Sequence, residues 1–457
     1  MLATTQTSSA RWAPVSEPQR VVALDALRGF ALLGVLIANT LCFAYPQMTT
    51  SADIEAMRGT GAADRGVLAL VALLVEGRFY SLLSVLFGIG LVLQADRARA
   101  AGRPFAPFYV RRSAILLVIG VAHGVLLYSA DILAFYAIVA VVALAFRALS
   151  ARRLAKAAAA CGVLAIVTLT MYAWMHPARP FPQPLDWGRM AAQLDDQATA
   201  GASPMLDPGA DFIARGAAAA LHTLGMPPRR LARIMADEGR IYRDGSWLEI
   251  TRHRAITALL FATVSKVTFL GLYVLACFLL GMSLARRGWF VDARATDLAS
   301  YRRLLFAGVP LGLGLVGIGS LMPGLVPRAT LAIPLYWLGV MGGTLLQGLG
   351  YAGGIVQLCA HRPGGFVVRG LSAVGRTALS NYLFQSVVLG GVFYATGLGL
   401  FTRLTALPVV ALAIPVSALE VWASLAWLRR FEMGPIEWAW RSLAYGKRLS
   451  LARSDSC

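Results

Sequence analysis

Long apolar runs alternate with short polar stretches along most of the chain. A helix needs about 20 apolar residues to cross a hydrocarbon core of about 30 Å, and several runs reach that length. Helices and closed barrels are the backbone forms that satisfy their own polar groups in lipid. The pattern therefore predicts an all-α, polytopic transmembrane helical bundle of about ten spans. The predicted spans cover residues 24–44, 66–94, 113–129, 132–146, 155–174, 256–284, 304–322, 331–359, 374–396 and 404–428.

The polar intervals divide the chain into five predicted regions. The N-terminal region lacks the apolar core of a signal peptide and is expected to be a disordered tail. Each five-span half is an apolar block, and one long polar interval separates the two halves. The regions are 1–20, the disordered cytoplasmic tail; 21–175, the N-terminal half with the polar motifs; 176–254, an external loop region; 255–430, the C-terminal half; and 431–457, an amphipathic cytoplasmic tail.

Arginine and lysine are concentrated in alternate short loops. Cytoplasmic loops of membrane proteins carry such an excess, so both termini are predicted to be cytoplasmic and the 176–254 interval external. The cation-rich set contains Arg97, Arg99, Arg103, Arg111 and Arg112; Arg147, Arg152, Arg153 and Lys156; Arg286, Arg287, Arg294, Arg302 and Arg303; and Arg362 and Arg369, whereas the opposite short loops carry Arg58, Arg65 and Arg328.

Composition supports a membrane protein and excludes other classes. The chain is 58% hydrophobic and 14% charged, whereas soluble domains carry about 25% charged residues. A net charge of +19 in a soluble chain would suggest nucleic acid, but here the cations flank apolar runs, so no nucleic-acid partner is expected. The five cysteines show no metal or disulfide spacing, and no metal is predicted. Phosphate-binding-loop and zinc-protease motifs are missing from the sequence.

The stretch from Tyr109 to Tyr136 contains the most unusual polar residues. Arg112 and His123 are eleven residues apart, about 20° past three helical turns, so they share one face, with His123 about 16 Å deeper. Ionisable groups at such a depth are functional candidates, although a histidine bonded to a core carbonyl is the alternative. Asp131 lies about 12 Å further on in an unbroken helix. It either orients an acceptor or caps the next span.

Arg28 and Asn39 repeat the same spacing in the first span. Two helices then each carry an arginine at the cytoplasmic end and a polar group at mid-depth. One interpretation is that Arg28 and Arg112 clamp an anionic ligand such as a pyrophosphate through bidentate contacts. The other is that Arg28 reaches to the interface and Asn39 bonds a neighbouring helix.

Two further pairs are candidate substrate-binding residues. Glu76 and Arg78 interrupt the second span near its outer end, where they either contact substrate or form an ion pair with no further role. Asn381 and Gln385 share a face at i, i+4 in the ninth span, with Arg376 at its cytoplasmic end. That face either lines a cavity or ties helices together.

The external segment around Tyr242 and Trp247 mixes aromatic residues with arginines. This combination suits a sugar or lipid headgroup, and equally an ordinary interfacial belt.

Contacts between helices are predicted at two places. In the second span, Ser81, Ser84 and Gly88 recur at helical spacing, which is typical of a close helix–helix seam. Lys266 and Glu420 are lone intramembrane charges that can pair with each other.

Five segments resemble the YeiB-like family of bacterial inner-membrane proteins, known as domain of unknown function 418. The resemblance spans almost the whole chain after the N-terminal tail, and it implies a multi-pass protein of the bacterial inner membrane. The segments are LDALRGFALLGVLIAN, GRFYSLLSVLFGIG, RRSAILLVIGVAHGVLLYSADIL, the external Y-x-x-G-S-x-x-E stretch that begins at Tyr242, and GRTALSNYLFQS.

The family is similar in turn to the transmembrane acyltransferases, which include bacterial polysaccharide O-acetyltransferases and the lysosomal heparan glucosaminide acetyltransferase. This similarity implies a cytoplasmic acyl-CoA co-substrate, acetyl-CoA among the options, and an acceptor reached from the outer side. The O-acetyltransferases carry an arginine and then a histidine after ten intervening residues in the first span. The matching positions here are Arg28 and Asn39, and we infer that His123 substitutes for the missing histidine.

These observations predict an integral-membrane acyltransferase for a sugar, lipid or small-molecule acceptor. Arg28, Arg112 and Arg376 are expected to hold the acyl-CoA phosphates. His123 is the expected general base, and Asn39 is expected to polarise the thioester carbonyl. The alternatives are a non-enzymatic permease or exporter with a buried polar path and a scaffold for envelope synthesis. Membrane lipids are the expected surroundings, and the oligomeric state is left open.

Overall fold

The computed structural model describes residues 21–46, 54, 61–175, 233–234, 236–260, 270–290, 298–325 and 329–453. The predicted tail at 1–20, most of the 176–254 region and Lys266 lie outside these residues. The helices are α1 (Val22–Ala44), α2 (Ala62–Leu74), α3 (Arg78–Ala100), α4 (Phe105–Leu126), α5 (Leu133–Leu144), α6 (Ala151–Met175), α7 (Glu238–Asp244), α8 (Trp247–Leu260), α9 (Gly271–Arg286), α10 (Leu298–Leu325), α11 (Ala329–Trp337), α12 (Gly343–His361), α13 (Phe366–Arg376), α14 (Ala378–Phe393), α15 (Ala406–Ala411), α16 (Ala413–Trp427) and α17 (Pro435–Tyr445).

The all-α membrane architecture is confirmed. Among the described residues, seven helical stretches are long and apolar enough to cross a membrane, and three shorter apolar helices have 10–17 residues. In chain order these ten stretches fall at the positions of the ten predicted spans. The long stretches are Val22–Ala44, Ala62–Ala100, Phe105–Leu126, Ala151–Met171, Leu298–Met322, Ala332–His361 and Ala406–Trp427, and the shorter ones are Leu133–Leu144, Gly271–Arg286 and Ala378–Phe393.

Several predicted span boundaries differ from the observed helices. The sixth predicted span covers residues 256–284, but residues 256–260 belong to α8 and the apolar helix α9 covers Gly271–Arg286. The third span begins eight residues earlier than predicted, because α4 continues N-terminally through the arginine pair to Phe105. It ends at Leu126 instead of Ser129, since the chain turns before Asp131. The second span is divided at Val75–Gly77, where Gly77 has a φ of 82°. That left-handed conformation favours glycine and separates α2 from α3.

The bundle has two chemically distinct ends. At one end, the Ser283 hydroxyl donates to the carbonyl of Ala151 at 2.8 Å, which joins the cation-rich loops at 145–151 and 284–290. We call this the arginine-rich end, and α17 lies there against the start of α4, where the Trp440 indole N–H donates to the carbonyl of Arg112. The opposite end, the aromatic end, contains Phe43, Tyr128, Tyr242, Tyr394 and Phe401.

Close helix contacts hold the bundle together. A Cβ added at Gly88 in α3 would overlap the carbonyl of Phe278 in α9, so only glycine permits this approach. The Ser81 hydroxyl lies 2.8 Å from the hydroxyl of Tyr273, and Ser84 bonds Tyr136 at 2.9 Å. The seam predicted along α3 is therefore present.

Candidate functional site

A cavity of about 430 Å³ extends inward from the arginine-rich end. Helices α1, α3, α4, α5, α14 and α17 enclose it, and the end of α13 contributes Arg376. Most of its wall is apolar, with leucine, valine and aromatic side chains, and its charged groups are concentrated at the mouth. The charged lining residues are Arg28, Arg97, Arg112, Arg376 and Arg441, together with Asp25 and Glu437.

Acidic partners account for only part of the arginine cluster. Arg28 forms a 2.9 Å ion pair with Asp25, one turn earlier in α1. Glu437 accepts the backbone N–H of Ser380 at 3.1 Å and that of Leu379 at 2.5 Å, so its charge stabilises the N-terminus of α14. Five guanidinium groups and two carboxylates leave a net positive mouth.

Aromatic packing positions one of these cations. The Arg112 guanidinium lies 3.7 Å from the centroid of the Trp440 ring, an attractive cation–π geometry. Burial lowers the pKa of Arg441; the Glu437 carboxylate opposes this shift and the Arg28 guanidinium adds to it. Burial and like-charge repulsion disfavour such a cluster, so an anion bound at the mouth would relieve both.

Asn39 lines the inner part of the same cavity as Arg28 and Arg112. Arg28, Leu32 and Val35 precede it on the wall at helical intervals, so one face of α1 runs the length of the cavity. The one-face arrangement expected from the Arg28–Asn39 spacing is therefore present.

His123 is 2% exposed and connects two helices through both ring nitrogens. Its Nδ1 lies 2.8 Å from Asp131 Oδ1, and its Nε2 lies 2.8 Å from the hydroxyl of Ser386 in α14. The other carboxylate oxygen, Oδ2, accepts the N–H of Ala134 at 2.7 Å in the first turn of α5. Asp131 thus both caps α5 and orients the imidazole.

The early end of α4 makes the His123–Asp131 contact possible. In an unbroken helix the two residues would be about 12 Å apart, but the helix ends at Leu126 and the chain folds back. A Cβ at Gly120 would overlap the N–H of Ala134 and approach Asp131 Oδ2 at 2.8 Å. Glycine at this position is therefore required for the turn to pack against α4.

His123 does not line the cavity, but it lies directly behind the wall. The Tyr382 ring, which lines the cavity, is 4.9 Å from the imidazole between centroids. Ala130 and Ile132, the neighbours of Asp131 in sequence, also line the cavity. The His123 cluster is therefore separated from the cavity by residues of its wall, Tyr382 among them.

Asn381 and Gln385 are placed away from the cavity. The Asn381 amide donates to Ser424 of α16 at 2.9 Å, and the Gln385 amide donates to Glu420 at 3.1 Å. Of the two interpretations left open for this face, the structure favours the one in which it ties helices together.

Arg78 is 1% exposed and bonds the ends of the divided second span to α12. It donates to the carbonyl of Ala72 at 2.7 Å, to Gln347 Oε1 at 3.0 Å, and to the carbonyl of Glu76. The Glu76 group that Arg78 bonds is thus its backbone carbonyl, and the Glu76 side chain is exposed.

Tyr242 and Trp247 do not form one surface. Tyr242 is 2% exposed and Trp247 is 56% exposed. The Tyr242 ring stacks on Tyr394 with centroids 4.6 Å apart, while Arg254 lies 4.7 Å above the Tyr394 ring. Burial lowers the pKa of the adjacent His253 to about 4. The buried position of Tyr242 makes it part of the packing at the aromatic end.

Four residues of the site were not singled out from the sequence. Ser386 was noted only as part of its segment, Arg97 only as a topology signal, and Arg441 and Trp440 only as part of an interfacial tail. Contacts between distant parts of the chain give these residues their significance. Among the described residues, no group of three or more His, Cys, Asp or Glu side chains is placed to hold a metal ion.

Comparisons with known proteins place the chain among bacterial relatives. Residues 284–447 match the family model described as "Protein of unknown function (DUF418)". The chain is 27% identical to "Uncharacterized protein YxaH" of Bacillus subtilis (strain 168), over 94% of this chain and 96% of the relative. It is 25% identical to "Uncharacterized protein YeiB" of Escherichia coli (strain K12), over 93% and 96%. No solved structure matches the chain.

Proposed function

We propose that the chain is a YeiB-like membrane protein of the DUF418 family and that it acts as an integral-membrane acyltransferase. The donor is a cytoplasmic acyl-CoA, and the acceptor is a hydroxyl or amine group of a sugar, lipid or small molecule on the outer side. The bilayer is the bacterial inner membrane, with the arginine-rich end in the cytoplasm.

One observation carries this proposal. Five arginines lie around the mouth of a cavity whose inner wall is in contact with a histidine–aspartate–serine cluster. A coenzyme A ester presents several phosphate groups at one end and a thioester at the other. The planar guanidinium group of arginine binds phosphate through two parallel hydrogen bonds. The cavity volume of about 430 Å³ is typical of small-molecule sites.

The residues divide into binding and chemical roles. Arg28, Arg112 and Arg376 hold the phosphates at the mouth. Asn39, deeper in the cavity, donates to the thioester carbonyl and stabilises the negative charge that develops there. His123 takes the proton from the attacking hydroxyl, and Asp131 holds the imidazole in the tautomer that can accept it.

A permease or exporter is the second candidate, and a buried pair in the seam between α14 and α16 supports it. Glu420 is 0% exposed. Within the described part of the chain, its Oε1 and Gln385 Oε1 have no hydrogen-bond partner. Buried carboxyl groups of this kind are typical of solute and proton paths.

The test is calorimetric binding of acetyl-CoA to the purified protein in nanodiscs. We expect saturable binding by the wild type and binding weakened by about 10- to 100-fold in Arg112→Ala, because one charge-assisted contact contributes about 1.5–3 kcal/mol. Arg362→Ala removes an exposed arginine outside the cavity and is the matched control, with wild-type affinity expected.

Two results would count against the acyltransferase. The first is no acetyl-CoA binding by a protein with a normal thermal unfolding midpoint. The second is accumulation of a radiolabelled solute in proteoliposomes with no acylated product, which would favour the permease.

A further inference from the structure

Three groups on three separate segments converge behind the cavity wall that Tyr382, Ala130 and Ile132 form. Ser386 of α14 lies 2.8 Å from His123 Nε2 in α4. Asp131, in the turn that follows α4, lies 2.8 Å from His123 Nδ1. All three side chains are at most 5% exposed. The order hydroxyl, imidazole, carboxylate is the arrangement that activates a serine as a nucleophile.

The hydrogen-bond directions suit such activation. Asp131 accepts the Ala134 N–H at Oδ2 and presents Oδ1 to the imidazole. An ionised carboxylate only accepts, so Nδ1 carries the ring proton and Nε2 is left as an acceptor. Ser386 then donates its one hydroxyl proton to Nε2 at 2.8 Å in preference to the more distant carbonyl of Tyr382 at 3.3 Å, so that proton points at the base that would remove it.

The cluster lies between the cavity and the aromatic end of the bundle. On the cavity side, Tyr382 contacts the imidazole at 4.9 Å. On the side of the aromatic end, Tyr128 is 6.3 Å from the imidazole and stacks on Phe43 at 4.4 Å. A donor held at the arginine-rich end and an acceptor arriving from the aromatic end would approach this cluster from opposite directions.

We propose that Ser386 is a covalent acyl carrier that receives the acyl group from the cavity and passes it to the acceptor. This inference rests on the proposed acyltransferase function and deepens it, because transfer occurs in two steps instead of one. A carrier removes the need for donor and acceptor to meet in one complex at the centre of the bundle. Ser386 is then a catalytic residue, and Asp131 is a positioning residue that acts through His123.

The chemistry balances in both steps. In the first, Ser386 Oγ attacks the thioester carbonyl carbon, its proton passes to His123 Nε2, and the C–S bond breaks. The thiolate leaves and takes that proton, so the products are free CoA thiol and an O-acyl serine. In the second, the acceptor hydroxyl attacks the ester carbon and its proton passes to His123. The Ser386 oxygen leaves and recovers that proton, and no oxidant or reductant is consumed.

The experiment incubates the purified full-length protein with acetyl-CoA in nanodiscs, without an acceptor. Intact-protein mass spectrometry measures the acetyl adduct, peptide mapping locates it, and a thiol reagent measures released CoA. We expect up to one acetyl group per chain at Ser386 and an equal amount of free thiol. Ser386→Ala should form no adduct while it still binds acetyl-CoA.

Two further variants separate chemistry from folding. Ser424→Ala removes another buried serine hydroxyl, which bonds Thr377 and Asn381 at 2.9 Å, and should acetylate like the wild type. Ser386→Cys keeps a nucleophile at the position and should form a thioester that neutral hydroxylamine cleaves. Asp131→Asn should slow the release of CoA by about 10³-fold or more while binding persists, because it disfavours the required tautomer.

The experiment distinguishes failure of the acyl-carrier proposal from failure of the acyltransferase proposal. One outcome is that the wild type binds acetyl-CoA, forms no adduct, and releases CoA only when an acceptor is present. Transfer is then direct, and the proposal that Ser386 carries the acyl group is wrong. An adduct on a residue other than Ser386 also overturns it. If acetyl-CoA does not bind at all, the acyltransferase proposal fails and the carrier fails with it.

Discussion

Individual buried residues acquire their roles from partners that are distant in sequence. The sequence singled out Arg78 because a cation inside an apolar run is costly. Its partners, the carbonyl of Ala72 and the amide oxygen of Gln347, become visible only in the structure. Together they satisfy backbone groups at the break between α2 and α3, where helix carbonyls lack intrahelical partners.

Loss of the Arg78 side chain is expected to destabilise the protein. Arg78→Met leaves Gln347 Oε1 and the carbonyl of Ala72 buried without this donor, at a cost on the order of 3 kcal/mol. The thermal unfolding midpoint in detergent should fall clearly, whereas Arg362→Met, at an exposed arginine, should leave it unchanged. An unchanged midpoint for Arg78→Met would show that the break does not depend on this residue.

At the scale of helices, the apolar pattern predicted where spans lie but not how closely they approach. The Arg28–Asn39 spacing correctly predicted one cavity-lining face of α1. The equal spacing of Arg112 and His123 predicted a shared face too, but His123 lies behind Tyr382, outside the cavity lining. Periodicity specifies the direction of a side chain from its own helix, while neighbouring helices decide whether that direction opens onto a cavity.

The contact between α3 and α9 should tolerate no added volume. A Cβ at Gly88 would overlap the carbonyl of Phe278, so Gly88→Ala should cost about 1–3 kcal/mol through overpacking. Gly162→Ala in α6 is the matched control, because nothing lies within 4 Å of an added Cβ. Its higher helix propensity should leave stability unchanged or raise it by up to about 1 kcal/mol. Equal midpoints for both variants would contradict the close contact.

For the whole molecule, the cation distribution and the tertiary structure agree on two distinct ends. Contacts such as Ser283 to Ala151 bring cation-rich loops together, and the C-terminal helix α17 packs there as well. The orientation of these ends in the membrane follows from the positive-inside rule and is a prediction.

Cysteine labelling tests that orientation. In intact bacterial cells, a membrane-impermeant maleimide should label Trp247→Cys, at a 56% exposed position, above the background of the unsubstituted protein. Ser450→Cys, at an exposed position near the C-terminus, should be labelled only after the cells are lysed. The opposite pattern would reverse the topology and place the arginine-rich cavity mouth outside.

The sequence by itself determined the membrane class and the order of the spans, and it singled out His123, Asp131 and the arginines as candidate site residues. These follow from local physical costs, since apolar length and buried charge are properties of a short stretch. Tertiary structure alone decided that Ser386 meets His123, that Arg97 and Arg441 join Arg28 and Arg112, and that Asn381 faces α16. These contacts join residues far apart in the chain, and their formation depends on helix ends and glycine contacts that periodicity does not encode.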